Sequence, residues 1–356
     1  MRVDEASENN IVSAWEERMN EAAAVAHGGD LDAACQRFPE APEPWIDLST
    51  GINPIAYPLP PLAPEIWARL PQRGDLRRLE SVAARAYGIA PSAELVAAPG
   101  TQALIQWLPR LFPAKRVGIL QTSYEEHAAT WRASGASVDS LVELSALAGF
   151  DVGVVVNPNN PDGRLIAPAD LQPLKQHFAA KGGLLVIDEA FMDAALGGSF
   201  LRHMPERGTI VLRSFGKIYG LAGVRLGFAI SGRHFARALR NALGPWAISG
   251  PAIRIGAQAL EDTHWLTRAT ERLSGDAARL DDLLGRAGFS ISGGTLLFRL
   301  ADHPHASGWF ERLGRAGILV RRFEERPDQL RFGLPGSDEA WQRLSSVLVP
   351  AETKRT

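Results

Sequence analysis

A single lysine stands between two apolar runs in the segment "VLRSFGKIYGLAGVRLGFAI", which covers residues 211–230. Such runs are typical of buried strands, and burial lowers the pKa of a lysine because it disfavours the ammonium form. The uncharged amine of Lys217 would then be a nucleophile toward carbonyl groups. A second cation, Arg225, follows in the same segment. Each residue alone is also compatible with an exposed loop, since lysine and arginine are rarely buried.

Further polar residues follow other apolar runs of the chain. After "ELVAAP", a helical pattern opens with Gly100, Thr101 and Gln102. The N-terminal N–H groups of such a helix can bind an anion. Asn160 lies in the loop "NPNNPDG" after "DVGVVV", Asp188 ends the run "GLLVI", and Ser214 follows "TIVLR". Taken singly, these residues are equally typical of helix caps and turns.

Together, these positions suit pyridoxal 5'-phosphate. In an open α/β sheet a ligand lies at the carboxyl ends of the strands, where all of these residues are predicted. The cofactor needs a Schiff-base lysine, a carboxylate beside its ring nitrogen, and cations and N–H groups around its phosphate. We therefore predict Lys217 as the Schiff-base lysine, Asp188 as the partner of the ring nitrogen, and Arg225 as a phosphate ligand.

The elements that hold these residues alternate along the chain. From about residue 94, short apolar runs alternate with helical patterns, which indicates a largely parallel sheet covered on both faces. The predicted fold class is α/β, with a large three-layer α/β/α domain, a mostly parallel sheet and a small C-terminal α/β domain. We predict an extension and arm over residues 1–64, the large cofactor-binding domain over residues 65–246 and the small domain over residues 247–356. Within the first, residues 1–20 are expected to be helical or frayed, and the proline-rich segment 38–64 to be irregular.

Composition excludes several functional classes. The chain has 356 residues, a formal net charge of −2 and 46% hydrophobic residues, which is typical of a globular protein. This balance favours neither nucleic acid nor an anionic membrane surface as a partner. The single Cys35 excludes an internal disulfide framework and a cysteine-rich metal site. The first residues are acidic and polar, unlike a signal peptide, so the cytoplasm is the expected compartment.

The motif series "NPNNPDG", "DEAF", "SFGK" and "VRLGF" resembles that of fold-type I, aminotransferase-like pyridoxal phosphate enzymes. The resemblance covers roughly residues 24–345. It implies that Asn160 bonds the cofactor's ring oxygen and Asp188 its ring nitrogen, and that Tyr124 stacks on the ring. It also implies phosphate ligands at Ser214, Arg225, Gly100, Thr101 and Gln102, and a homodimer with its cofactor sites at the interface.

The opening "HGGDLDAACQRFP", followed by "WIDLSTGINP", is similar to that of the threonine-phosphate decarboxylases of cobalamin biosynthesis. This resemblance implies a substrate site at His27, Gly28, Gly51 and Asn160. In "GILVRRF" and "QLRFGLP" it implies that Arg321 pairs with the substrate phosphate and Arg331 with its carboxylate. Without the resemblance, His27 is compatible with a loop residue before a Gly-Gly turn, and the two arginines with exposed strand residues.

The implied reaction is decarboxylation of O-phospho-L-threonine, a small phosphorylated amino acid, to (R)-1-aminopropan-2-yl phosphate by a carboxy-lyase. Histidinol-phosphate aminotransferases are close relatives with the same cofactor residues, so transamination of a phosphorylated amine is the alternative. A non-catalytic binding protein with the same fold is a third hypothesis, against which the presence of Lys217 and Asp188 argues.

Three positions depart from the pattern of generic aminotransferases. Phe191 replaces a tyrosine that donates to the cofactor's ring oxygen in many of them. Leu70 occupies the place of a tyrosine that often reaches the partner subunit's cofactor phosphate. Asp162 replaces the usual threonine of "NPNNPTG". None of the three changes removes a residue to which we assign a catalytic role.

Overall fold

The computed structural model describes residues 27–195, 197–204 and 207–349. The extension predicted over residues 1–20 lies outside these described residues. Within them, strands form two sheets, and helices cover both. None of the helices in these ranges is long and apolar enough to cross a membrane.

The larger sheet has seven strands in the described residues, in the order β2-β8-β7-β6-β5-β3-β4. Its strands are β2 (Ala93–Ala98), β3 (Arg116–Leu120), β4 (Ser137–Leu141), β5 (Val152–Val156), β6 (Leu184–Asp188), β7 (Thr209–Ser214) and β8 (Gly227–Gly232). β8 runs antiparallel to both of its neighbours, and the other pairs are parallel. Parallel strands end at a common edge of a sheet, so their last residues are brought close together.

This sheet is buried on both faces. Successive side chains of a strand point to opposite faces. In β6, Leu185 and Ile187 belong to one hydrophobic core, and Leu184 and Val186 to another. The helices around the sheet are α3 (Arg73–Tyr87), α4 (Thr101–Leu111), α5 (Glu125–Ala133), α6 (Pro168–Lys181) and α7 (Arg233–Leu243). The predicted three-layer α/β fold with a mostly parallel sheet is confirmed.

A smaller, mostly antiparallel sheet has the order β1-β11-β12-β10-β9 in the described residues. Its strands are β1 (Ile46–Leu48), β9 (Ser290–Thr295), β10 (Phe298–Asp302), β11 (Ile318–Phe323) and β12 (Arg326–Gly333). The remaining α-helices are α1 (Leu31–Arg37), α2 (Pro64–Ala68), α8 (Gly250–Glu261), α9 (Thr263–Arg286), α10 (Ala306–Arg315) and α11 (Asp338–Leu348). Short 3-10 turns lie at Leu144–Gly149, Met192–Ala194, Phe200–His203 and Ala222–Val224.

The proline-rich segment 38–64, predicted to be irregular, contains the short strand β1. This strand pairs in parallel with β11, with Ile46 opposite Ile318. A few residues later, the N–H of Asn53 donates to the backbone oxygen of Lys217 at 2.9 Å. The segment therefore joins the small sheet to the carboxyl edge of the large one, where the predicted site residues lie.

Candidate active site

Two adjoining cavities lie at the carboxyl edge of the large sheet. The larger cavity, of about 280 Å³, faces the small sheet, and the smaller cavity, of about 120 Å³, lies against the start of α4. Of the predicted site residues, the larger cavity is lined by His27, Gly28, Gly51, Tyr124, Asn160, Lys217, Arg225, Arg321 and Arg331. The smaller is lined by Gly100, Thr101, Gln102, Tyr124, Ser214, Lys217 and Arg225. Tyr124, Lys217 and Arg225 line both cavities, which are therefore continuous.

Lys217 lies in a loop that leaves the sheet after Ser214 and returns at Gly227. These two residues are paired across β7 and β8, so both ends of the loop are fixed. Burial lowers the pKa of the Lys217 ammonium from 10.5 to about 8, and the positive charge of Arg331 acts in the same direction. The Lys217 Nζ lies 5.2 Å from the ring centroid of Phe191. The amine is therefore partly uncharged near neutral pH, as a nucleophile requires.

Asp188 ends β6 and is 3% exposed. Its Oδ1 accepts a hydrogen bond from the N–H of Ala190 at 3.0 Å, and its Oδ2 lies 2.9 Å from Nε2 of His127. The carboxylate is thus held by two partners in a buried position, where an unpaired charge would be costly.

The sequence reasoning missed His127, which the structure places directly beside Asp188. The imidazole is fully buried, and its Nδ1 has no hydrogen-bond partner in the part of the chain that the structure describes. A signal was available, because Tyr124 and His127 are three positions apart, a spacing that puts two side chains on one face of a helix. Their rings lie 6.3 Å apart, edge to face.

The adjacent carboxylate, Glu189, belongs to a different, structural cluster. Its Oε2 accepts from Arg213 Nη1 at 3.0 Å, and the other end of that guanidinium donates to Asp193. Successive side chains at a strand end face opposite ways. Asp188 therefore faces α5, while Glu189 anchors the loop that follows β6.

The smaller cavity has the features of a phosphate site. Gly100 has φ 83°, and a Cβ there would lie 2.9 Å from Arg225 Nη2. A Cβ on Gly227 would lie 2.7 Å from the backbone nitrogen of Thr101. The missing side chains leave room beside the N-terminus of α4, where free N–H groups favour an anion. Arg225 has φ 53° and is exposed, with Nη1 donating to the oxygen of Ala222 at 3.1 Å.

A polar chain joins the smaller cavity to the larger one. The Tyr124 hydroxyl donates to Gln102 Oε1 at 3.4 Å, and burial raises the pKa of that hydroxyl above its usual value. The amide nitrogen of Gln102 donates to Glu126 Oε2. The other oxygen of Glu126 lies 2.8 Å from Nε2 of His27. Glu126 is a second site residue that sequence reasoning missed.

Arg331 is the most deeply placed cation of the larger cavity, at 7% exposure. Its Nη1 donates to Asn160 Oδ1, and its Nη2 donates to the backbone oxygen of Ser49 at 2.9 Å. Burial lowers the pKa of its guanidinium to about 10, and the charge of Arg321 adds to this effect. In the described ranges 27–195, 197–204 and 207–349, no carboxylate lies within 4.0 Å of Arg331.

Arg321 also lines the larger cavity and is half-buried. Burial lowers the pKa of its guanidinium, which lies 5.5 Å from the ring centroid of Phe323. Arg326, which sequence reasoning did not single out, lines the same cavity and lies 4.9 Å from the same ring centroid. Arg322, as expected from strand alternation, does not line the cavity and packs over Phe310.

Two glycines allow the N-terminal segment to approach the cavity. A Cβ on Gly28 would lie 2.3 Å from the backbone oxygen of Ser49. A Cβ on Gly51 would lie 2.8 Å from the Phe191 ring and 2.9 Å from the Phe298 ring. Any larger residue at either position would push the segment away from the cavity.

The three departures from the aminotransferase pattern have clear structural settings. Phe191 is 4% exposed, and its ring packs edge to face on Phe298 with the centroids 5.2 Å apart. Asp162 closes its own loop, because its Oδ1 accepts from Asn159 Nδ2 at 2.8 Å and from the N–H of Arg164 at 3.0 Å. Leu70 is 60% exposed and lies outside both cavities.

Comparison with known proteins places this arrangement in a family. The family model described as "Aminotransferase class I and II" matches residues 66–347. The chain is 41% identical over 328 residues to the threonine-phosphate decarboxylase of Pseudomonas aeruginosa (91% of this chain, 97% of that protein). It is 42% identical over 338 residues to a threonine-phosphate decarboxylase of Sinorhizobium sp (93% of this chain, 99% of that protein).

A solved structure shares the fold at low sequence identity. Histidinol-phosphate aminotransferase from Sinorhizobium meliloti, in complex with pyridoxal-5'-phosphate, superposes with a TM-score of 0.78 at 18% identity. The match covers 93% of this chain and 95% of that one. Fold, site geometry and sequence similarity therefore agree, and the chain belongs to the aminotransferase class I and II family.

Proposed function

We propose that this protein is a pyridoxal 5'-phosphate-dependent carboxy-lyase that converts O-phospho-L-threonine to (R)-1-aminopropan-2-yl phosphate. Two relatives named threonine-phosphate decarboxylase, at 41% and 42% identity over nearly the whole chain, support this substrate. The product would serve cobalamin biosynthesis, as the resemblance of the N-terminal segment implies.

The observation that carries the proposal is the deep position of Arg331 without an acidic partner among the described residues. A buried guanidinium is costly unless an anion or several acceptors meet it. Its Nε has no hydrogen-bond partner in the described ranges, and it lines the same cavity as Lys217. The planar fork of arginine matches a carboxylate, so Arg331 is suited to bind the substrate's α-carboxylate beside Asn160.

The smaller cavity fits the cofactor's phosphate. Gly100, Thr101 and Ser214 would supply small side chains and N–H groups around it, and Arg225 a positive charge. Lys217 would hold the cofactor covalently, and Asp188 would pair with its ring nitrogen. When bound, pyridoxal 5'-phosphate accepts the electron pair released when a bond to the substrate's Cα breaks.

The chain's own groups would then set the outcome of the reaction. Asp188, fixed by His127 and by the N–H of Ala190, would set its carboxylate against the cofactor's ring nitrogen. Arg331 would fix the carboxylate, while His27 and Arg321 would hold the phosphate, so the substrate would be anchored at both ends. Anchoring at two points restricts rotation about the Cα bonds, which decides the bond that breaks. Lys217 would return a proton to Cα.

Transamination of histidinol phosphate is the alternative that a direct assay separates. The purified protein is mixed with O-phospho-L-threonine alone, and carbon dioxide is measured. Release without any 2-oxo acid acceptor is expected. No release, together with turnover of histidinol phosphate that depends on 2-oxoglutarate, would assign the protein as an aminotransferase instead.

We further propose that the protein acts as a homodimer in the cytoplasm. A groove of about 540 Å³ lies between residues 60–72 and helix α8. Leu70 lines this groove and is 60% exposed, and Trp67 in the same stretch is 68% exposed, an unusual exposure for large apolar side chains in a monomer. Light scattering should give twice the chain mass of 38.5 kDa. A mass equal to one chain at working concentration would contradict this assembly.

A further inference from the structure

Glu126 occupies a position between the two cavities that the proposed reaction does not explain. It is the second residue of α5, and its side chain is 13% exposed. Its neighbours in the sequence already have roles, because Tyr124 lines both cavities and His127 supports Asp188. A carboxylate beside two proposed phosphate sites would repel the bound anions, so its position there needs a separate explanation.

The contacts of Glu126 indicate what this carboxylate does. One oxygen accepts from the amide nitrogen of Gln102, which lines the smaller cavity. The other oxygen lies 2.8 Å from Nε2 of His27, which lines the larger cavity. Gln102 and His27 lie 24 and 99 positions from Glu126 in the chain. A single carboxylate therefore connects one side chain from each cavity.

From this bridge we infer that Glu126 is a positioning residue that fixes the hydrogen-bonding groups of Gln102 and His27 toward the two phosphates. The inference rests on the proposed function, since it assigns one phosphate to the cofactor and the other to the substrate. Glu126 itself touches neither phosphate in this scheme and acts through its two partners.

The chemistry of the carboxylate supports this role. An ionised carboxylate only accepts hydrogen bonds, so the Nε2 of His27 that faces it must carry a hydrogen. The ring is thereby held in one orientation with Nδ1 on the substrate side, and Nδ1 donates to the substrate phosphate in the imidazolium form, in which both ring nitrogens carry a hydrogen. For the same reason the nitrogen of Gln102 faces Glu126, and its oxygen faces the Tyr124 hydroxyl at 3.4 Å, so the second N–H of the amide is the group left to donate to the cofactor phosphate. Without an acceptor, the amide and the ring could each turn over.

The substitution Glu126→Gln removes one acceptor without changing the volume. The new amide can satisfy only one of the two donors and turns an N–H toward the other. We expect KM for O-phospho-L-threonine to rise about 10-fold, since a hydrogen bond to a charged group is lost. We expect the Kd for pyridoxal 5'-phosphate, measured by fluorescence titration of the apoenzyme, to rise about threefold, with kcat changing less than KM.

The variant Glu339→Gln is a matched control, because it also removes a negative charge from the first turn of a helix. Glu339 is also the second residue of a helix that begins with two acidic residues, α11, but it is exposed and far along the chain. Glu339→Gln should leave KM, kcat and the Kd for the cofactor at their wild-type values. A melting temperature measured for both variants shows whether folding is affected.

A double-mutant cycle with His27→Ala tests whether Glu126 acts through His27. In the His27→Ala background, Glu126→Gln should change KM less than twofold, because the ring that it positions is gone. Additive effects on KM would overturn the inference, as would a fall in KM in Glu126→Gln, which would show that the carboxylate only repels phosphate. An unchanged Kd for the cofactor would overturn the part of the inference that concerns Gln102.

These outcomes are separable from failure of the proposed function. If wild-type protein releases no carbon dioxide from O-phospho-L-threonine, the reaction assignment fails. The same variants are then compared for KM with histidinol phosphate and 2-oxoglutarate. The cofactor titration needs no turnover, and it tests the link to Gln102 in either case.

Discussion

The two cavities of the site are built in different ways. The smaller cavity is shaped by backbone: the φ of 83° at Gly100, the φ of 53° at Arg225 and the start of α4. The larger cavity is shaped by side chains from distant segments, such as Arg331 and Asn160, which are bonded although they are 171 positions apart. A backbone site is encoded locally and therefore appears as a motif. A side-chain site depends on how two sheets meet.

The electrostatics of the cavities differ as well. The smaller cavity offers N–H groups and an exposed guanidinium that water can solvate. The larger cavity holds a desolvated arginine, whose charge adds to the effect of burial in lowering the pKa of Lys217. Changes at Lys217, which lines both cavities, should therefore affect the chemistry itself, while changes at Arg331 should act first on substrate affinity.

The largest effect is expected where the cavities meet. Lys217→Ala removes the amine that lines both of them, and turnover should fall below detection while cofactor affinity at the smaller cavity is partly kept. Carbon dioxide release and fluorescence titration of the apoenzyme with pyridoxal 5'-phosphate measure the two effects. Borohydride trapping followed by peptide mass spectrometry should label Lys217 in the wild type and nothing at this position in the variant. Full activity in this variant would remove the basis of the pyridoxal phosphate assignment.

The second largest effect is expected at Asp188. Asp188→Asn keeps the size of the side chain but removes the charge that would pair with the ring nitrogen. Turnover should fall on the order of 1,000-fold, with KM little changed, as for other groups that stabilise developing charge. Steady-state kinetics at saturating substrate provide the test. Near-normal kcat would exclude the proposed role.

The larger cavity is tested at Arg331. Arg331→Gln should raise KM for O-phospho-L-threonine about 100-fold, because the substrate carboxylate loses a bidentate, buried partner. Arg322→Gln is the control, since Arg322 is exposed and packs over Phe310 outside the cavity. Equal KM values for the two variants would contradict the assignment of the carboxylate to Arg331.

The smallest effect concerns the stability of the apoenzyme. The pKa of Lys217 is lowered from 10.5 to about 8 in the fold, so between these values the unfolded chain binds more protons than the native one. The free energy of unfolding should therefore rise with pH from about 8 to 10.5 relative to the variant Lys217→Met. Urea denaturation of both proteins across this range measures the difference. Parallel curves would show that Lys217 is not desolvated.

The residues that line the smaller cavity could be grouped from the sequence, because most of them follow a strand whose apolar run is visible. The apolar pattern also predicted strands that contain Arg321 and Arg331, although the roles proposed for these two arginines came only from resemblance to a family. His127 and Glu126 were missed for a physical reason. On a helix that follows a strand, an acidic residue and a histidine are typical of a solvated face, and only their partners across the fold distinguish them.

The strands that the sequence did not reveal are those with the least apolar surface. β4 is an edge strand with the sequence SVDSL and is largely exposed. β9, SISGGT, contains two glycines, which lower strand propensity. β1 spans three residues among prolines, and its pairing with β11 becomes visible only in the assembled small sheet. Local pattern is weak wherever a strand is stabilised mainly by its neighbour.

The antiparallel course of β8 has a consequence for any relative movement of the two sheets. Because β8 returns beside β7, Lys217 and Arg225 lie in one loop whose two ends are hydrogen-bonded to each other, with the N–H of Phe215 donating to the oxygen of Leu226 at 3.3 Å. The spacing of this amine and guanidinium is thus set mainly by the large sheet, although Asn53 of the proline-rich segment also bonds the backbone oxygen of Lys217. A hinge movement of the small sheet would carry Arg331 toward or away from the amine, whereas the distance between the amine and the Arg225 guanidinium would change little. The protein would then open to exchange substrate while its contacts with the cofactor stay constant.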